Sequence, residues 1–277
     1  MQQTIELIKT TWSEDNIDED VTSQCLGPLG DKPGRAVLFS KEKGIFSGLE
    51  VLLAHRSLLP EMKWSLALEE GQPLESGVQI VEIEGTSRKI LGIERTLLNF
   101  LSHLCGIATQ TGHFVKAIEP HSAKLLCTRK TLPGLRHLEL QAVAAGGGTI
   151  HRRSLSDGIL IKENHSDITP IEEIVKRARA HHSPLHRIEI EVQSMEFLRR
   201  VLPLKPDIVM LDNFPLSEIP IALKLIERRC LVEVSGGVSL DNIGSIAATG
   251  VDTISVGQLT HSARALDLSL DISINSQ

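Results

Sequence analysis

The stretch from Thr128 to His165 concentrates side chains that bind anions. Arg129, Lys130, His151, Arg152 and Lys162 each stand at the end of a short apolar run or in the loop just before one. Gathering like charges in one place costs free energy unless an anion sits between them, so their convergence implies a ligand with more than one negative group. A planar dicarboxylate suits such a cluster, because a guanidinium grips a carboxylate through two parallel, charge-assisted hydrogen bonds. The competing reading is ordinary surface ion pairs, which would be the default for any one of these residues alone.

Two carboxylates close later apolar runs. Glu191 follows Ile188-Glu-Ile and Asp212 follows Asp207-Ile-Val-Met-Leu. Carboxylates at strand ends accept hydrogen bonds from sugar hydroxyls or hold a divalent cation, and both tasks occur on a phosphorylated ribose. Either could instead cap the helix that follows it. Glu189 lies two residues before Glu191, and Glu191, being nearer the strand end, is the preferred functional member. Ser235-Gly236-Gly237 and Gly257 close the last two runs and are read as opening helices, where backbone N–H groups and a helix N-terminus would hold a phosphate. Gly146 to Gly148 either cap a helix or allow close approach of a ligand.

These residues need a scaffold that brings distant strand ends together. Six units, each an apolar run, a polar or glycine punctuation and a helix-like stretch, run from Lys124 to Gly257. That alternation is the pattern of a parallel sheet, and six units suggest closure into a barrel with its chemistry at the strand ends. The first hundred residues read differently. Arg35 to Ser40, Gly44 to Gly48, Val78 to Gly85 and Lys89 to Gly92 are β-like, and Glu50 to Leu59 is helical. A helix is expected from near Glu94, where Leu97, Leu101, Leu104 and Ala108 repeat on one face. The expected division is an N-terminal α+β domain over 1–103 and an α/β barrel over 104–261. The segment 262–277 is expected to pack back on the first domain, with Ser262 to Leu270 helical and Ser273 to Gln277 frayed.

Composition narrows the classes. At 277 residues and 41% hydrophobic content the chain can bury a large core, and no apolar run is long enough for a membrane helix. A net charge of −6 argues against a nucleic-acid surface while allowing a local cationic pocket. Cys25, Cys105, Cys127 and Cys230 lack metal-site spacing and read as free thiols. The opening residues carry no leader-like pattern, so a cytoplasmic location is expected.

The ordered motifs carry a resemblance to a known family. Glu94-Arg95-Thr-Leu-Leu-Asn99, Thr128-Arg-Lys-Thr-Leu-Pro-Gly-Leu-Arg136, Gly146-Gly-Gly, His151-Arg152, Leu160-Ile-Lys-Glu-Asn-His165, Glu189-Ile-Glu191-Val, Leu211-Asp-Asn213, Val234-Ser-Gly-Gly237 and Ile254 to Ala263 together resemble the quinolinate phosphoribosyltransferases. The resemblance covers nearly the whole chain. It implies an incomplete, roughly six-stranded TIM-like barrel behind an α+β domain, in a homodimer or larger assembly with shared active sites. It implies transfer of phosphoribosyl from phosphoribosyl pyrophosphate to quinolinate with decarboxylation. By matching positions, Arg95 would reach across the dimer to quinolinate, joining Arg129, Lys130, His151, Arg152 and Lys162. Lys130, Lys162, Glu191 and Asp212 would be the catalytic group, with Glu191 and Asp212 on the ribose hydroxyls. Ser235, Gly236, Gly237 and Gly257 would hold the 5-phosphate. Mg2+ would ride on the pyrophosphate, with Glu191 and Asp212 as candidate protein ligands. Cys127, Ile150, Glu163 and Gln258 depart from the family pattern, the first two beside the cation cluster. The alternatives are a paralogue using a related acceptor such as nicotinate, and a catalytically silent metabolite-binding homologue.

Overall fold

The computed structural model describes residues 1–274 and divides into two compact units. The first comprises Met1–Gln110, Leu132–Gly147 and the chain from Ser262, and the second Thr111–Thr131 and Gly148–His261. Both units are thus discontinuous. Residues 104–110 and 132–147 group with the first unit, so the compact units do not follow a single cut of the chain near 103/104.

In the first unit, strands β1 (Pro33–Ser40), β2 (Gly44–Ile45), β3 (Lys63–Leu66), β4 (Pro73–Leu74) and β5 (Gln79–Thr86) are joined by a strand from the far end of the chain. The main sheet has the order β12-β1-β5-β3, where β12 is Leu268–Ile274. Along β1, Ala36 and Leu38 are buried and Arg35 is exposed, the alternation of a sheet with one face on a core. The helices Gln2–Asp15 and Leu49–Leu58 also belong to this unit.

The tail corrects the expectation of a helix. Leu266, Leu268, Leu270, Ile272 and Ile274 alternate strictly with other residues, a period of two rather than 3.6. As a strand the segment pairs antiparallel with β1, Leu38 opposite Leu270, and covers an edge that would otherwise expose unpaired backbone groups. Ser273 and Ile274 lie in this ladder rather than fraying; Asn275 to Gln277 lie outside the described residues.

A second correction concerns the long helix, which spans Ser87–Ala117 and so begins seven residues before Glu94. Lys89 to Gly92, read as β-like, is its first turns. Ile90 and Ile93 are buried with Leu97, Leu101 and Leu104, so the apolar stripe already runs from Ile90. On the same helix, a Cβ added to Gly106 would lie 2.2 Å from the carbonyl oxygen of Arg264 and 3.2 Å from Ala265 Cα. That neighbour is backbone, and it is fixed by the hydrogen bond from the Leu266 amide to the Ser102 carbonyl (2.9 Å). Gly106→Ala is therefore expected to cost about 3 kcal/mol of folding stability, read as a lowered urea midpoint with an unchanged slope.

The second unit holds β6 (Lys124–Leu126), β7 (Ile159–Ile161), β8 (Ile188–Val192), β9 (Ile208–Asp212), β10 (Leu231–Ser235) and β11 (Thr253–Ser255). All six apolar runs are strands, paired in parallel in the order β6-β11-β10-β9-β8-β7. Every residue of β8 is buried, as expected of a strand covered on both faces. Helices follow β7 through β11, including Glu163–Ile168, Met195–Val201, Ile219–Ile226, Ile243–Ala247 and Gln258–His261. Closure is not completed by the six strands. Among the described residues β6 and β7 do not pair, and an isolated bridge from Leu126 to Thr149 lies along the outer side of β6. The unit is an incomplete α/β barrel whose strands all end on the same side. No described helix is long and apolar enough to cross a membrane.

Candidate active site

The C-terminal strand ends of the second unit surround a cavity of about 550 Å³. Arg129, Lys130, His151, Arg152 and Lys162 all line it, so the five cations that the sequence places apart do converge. Glu191, Asp212 and Ser235 to Gly237 line the same cavity.

Local structure explains how each is presented. The loop after β6 turns on Thr128, whose Oγ1 accepts the Lys130 amide (3.1 Å), while the Lys130 carbonyl accepts Thr260 Oγ1 (2.7 Å). Gly257 lies against this lysine, since a Cβ there would meet Lys130 Cδ at 3.0 Å. Arg129 Nε is buried and makes no hydrogen bond. The Arg152 guanidinium is pushed down by burial and by the neighbouring Arg129 charge. A donor without an acceptor, beside a repelled like charge, is the state expected of a pocket shaped for an anion.

Lys162 leaves β7 and donates to Glu191 Oε2 at the end of β8. Glu191 is nearly buried, whereas the lysine side chain remains about half exposed. Asp212 ends β9 opposite Ser235 of β10 and accepts a hydrogen bond from Asn213 Nδ2 (2.9 Å). Neither carboxylate is a helix cap. The following helices start at Met195, capped by Ser194, and at Ile219, preceded by Glu218.

The glycine loop corrects one expectation. Ser235-Gly-Gly does not open a helix directly, because the next helix begins only at Ile243, and the helix after Gly257 is the single turn Gln258–His261. Gly236 and Gly237 instead take successive positive φ values of 85° and 62°, a left-handed turn that glycine adopts without a Cβ penalty and that lines the cavity with backbone. Any phosphate here would meet backbone amides rather than a helix macrodipole. Asn213, also at positive φ (55°), backs this loop, its amide donating to the Ser235 carbonyl (2.9 Å). Sequence reasoning gave Asn213 no role, although Asn beside a strand-end Asp is a common left-handed position.

Cys127 lines the cavity as a buried thiol whose pKa is raised by that burial, so it stays neutral. Glu189 and Glu233 were also passed over, and both reach His151. A charged residue inside a strand reads as solvent-facing unless the sheet curls around it, which no local pattern reveals.

Arg95 does not line this cavity. It is an exposed residue of the helix Ser87–Ala117, in the first unit, on a cavity of about 530 Å³ shared with Glu14, Asp15, Asn99 and His103.

Comparisons with known proteins bear on the family and the fold. Residues 20–105 match the family described as quinolinate phosphoribosyl transferase, N-terminal domain, and residues 107–271 its C-terminal domain. The chain is 41% identical over 262 residues to the probable nicotinate-nucleotide pyrophosphorylase [carboxylating] of Methanocaldococcus jannaschii, covering 91% of each chain. It is 37% identical over 273 residues to the protein of the same name in Bacillus subtilis, covering 98% of this chain and 94% of that one. The solved structure of the nicotinate-nucleotide pyrophosphorylase from Francisella tularensis superposes with a TM-score of 0.91 at 36% identity, covering 98% and 96% of the two chains. With family matches in both halves and a parallel-strand mouth that gathers the expected cations, the chain belongs to the quinolinate phosphoribosyltransferase family.

Proposed function

We propose that the protein joins quinolinate to phosphoribosyl pyrophosphate, releasing pyrophosphate and CO2 and leaving nicotinate mononucleotide, a step of NAD biosynthesis. The observation that carries this reading is the meeting of five cations with Glu191, Asp212 and a glycine loop in one cavity. The cations match a doubly charged pyridine, the carboxylates match ribose hydroxyls, and the glycine amides match a phosphate.

The chain's work is orientation and electrostatics. Arg129, Arg152, His151 and Lys162 hold the pyridine dicarboxylate with its ring nitrogen toward the anomeric carbon. Asp212 and Glu191 fix the ribose, and Lys130 lies where negative charge grows on the departing pyrophosphate. The new N–C bond forms as the C–O bond to pyrophosphate breaks. The quaternised ring then accepts the electron pair of the adjacent carbon–carboxylate bond, CO2 leaves, and that ring carbon takes up a proton. No side-chain nucleophile is needed.

Magnesium fits as a substrate-borne ion. Glu191 is engaged by Lys162, so of these two carboxylates Asp212, which accepts one hydrogen bond from Asn213, is the better placed to approach a metal held mainly by phosphate oxygens. When bound, the ion neutralises charge on the leaving pyrophosphate. Arg95 is assigned to the site of the partner subunit of a homodimer, and the enzyme to the cytoplasm.

Incubating purified protein with quinolinate, phosphoribosyl pyrophosphate and Mg2+ should yield equal amounts of nicotinate mononucleotide and CO2. Quinolinate binding without product would identify a silent homologue and end the proposal.

A further inference from the structure

Behind the cation cluster lie two carboxylates with no assigned role. Glu189 on β8 is 4% exposed and Glu233 on β10 is 1% exposed. Their Oε2 atoms approach His151 Nε2 at 3.1 Å and 3.5 Å. Ser255 Oγ and Thr253 Oγ1 donate to Glu233, whereas Glu189 Oε1 is buried with no hydrogen-bond partner. Buried carboxylates persist only where a cation or several donors answer them. Hydroxyls serve Glu233, but the group that both carboxylates share is the imidazole of His151.

That sharing decides how the ring can act. Two carboxylates within ion-pairing distance of Nε2 favour a charged ring, and Nδ1 makes no hydrogen bond to the described residues. In a neutral ring Nδ1 would carry a lone pair and repel a ligand carboxylate, whereas in the imidazolium it is a donor. Burial pulls the ring's pKa down, yet the hydrogen bonds to Glu189 and Glu233 outweigh it and push it up to about 10. Arg129, Arg152, Lys130 and Lys162 line the same cavity and oppose a further positive charge, but among the described residues only the two glutamates lie within ion-pairing distance of His151.

We infer that Glu189 and Glu233 are positioning residues that orient His151 from behind through Nε2 and so present an Nδ1–H donor to a carboxylate of the acceptor. The inference rests on the proposed quinolinate reaction, but it makes a claim about the ligand-free protein that can be read separately. In 15N NMR of histidine-labelled protein, assigned by the signal lost in His151→Asn, His151 should be an imidazolium at pH 7.5. In Glu189→Gln or Glu233→Gln its ring should move toward the neutral form.

By calorimetry, Glu189→Gln should weaken quinolinate binding roughly 10- to 100-fold, the loss expected for a charge-assisted hydrogen bond. Affinity for phosphoribosyl pyrophosphate should stay within about twofold, and adding Glu189→Gln to His151→Asn should cost little more. Should either glutamine variant fail to fold, the other carries the same test, and the wild-type NMR signal needs neither. A neutral His151 in the wild type would overturn the inference, as would unchanged quinolinate affinity in a folded variant. Because His151 and the two carboxylates place ligand atoms within 4.8 Å of one another, stoichiometric zinc binding abolished by Glu189→Gln would also overturn it, in favour of a metal site. A wild type that binds quinolinate without turnover would end the proposed reaction and leave the NMR result standing.

Discussion

Replacing Lys162 with methionine should lower kcat/KM by roughly 10³-fold while the protein still folds. Two effects add. The cavity loses a cation that faces the acceptor, and Glu191 loses the ammonium that answers its charge. Glu191 is 9% exposed at its side chain, so its unpaired charge would be poorly screened and would repel an incoming polyanion. The lysine is 44% exposed, which limits the penalty in folding stability because water can partly replace it. Coupling separates the two effects. If part of the damage is the stranded carboxylate, Lys162→Met/Glu191→Gln should lose at least tenfold less than the product of the single losses. Purely multiplicative losses would mean that the pair does not act as a unit.

The second large effect is expected at Gly236. A Cβ there would sit 2.3 Å from Asn213 Oδ1 and 2.8 Å from the Asn213 amide nitrogen, on a residue whose φ of +85° already disfavours a side chain. Relief requires moving Asn213, and with it the hydrogen bonds to Asp212 and to the Ser235 carbonyl. Gly236→Ala should therefore raise KM for phosphoribosyl pyrophosphate by roughly 10²-fold or more. Gly237 supplies the control. Its φ is +62°, but a Cβ would meet nothing within 4 Å, so Gly237→Ala suffers only backbone strain of about 1 kcal/mol, or about fivefold. Equal effects at the two glycines would show that loop conformation matters and the Asn213 contact does not.

How far the sequence revealed this depends on whether the signal was local. The six strands of the second unit were legible because a parallel strand is buried on both faces and reads as a bounded apolar run, as β8 does. The strand ends were therefore legible too, and with them Arg129, Lys130, Lys162, Glu191 and Asp212. The tail resembles a helix in composition over Ser262 to Leu270, and its period of two stands out only when the run is followed on to Ile274. Its partner β1 lies more than two hundred residues earlier. That the ring stays incomplete came from the family resemblance and not from any single run, because pairing of the first and last strands depends on the whole ring. Glu189 was weighed and set behind Glu191, and Glu233 was not singled out, because the curled sheet buries them and the loop before β7 brings His151 between them.

The most direct test is the ratio of kcat/KM for quinolinate over nicotinate, measured with saturating phosphoribosyl pyrophosphate and Mg2+. Nicotinate lacks one carboxylate, so it would leave part of the Arg129, His151, Arg152 and Lys162 cluster without an anion. Unpaired buried groups of that kind reject an analogue by roughly 10²-fold or more, and the account predicts a ratio at least that large in favour of quinolinate. Equal use of the two acceptors, or a preference for nicotinate, would contradict it.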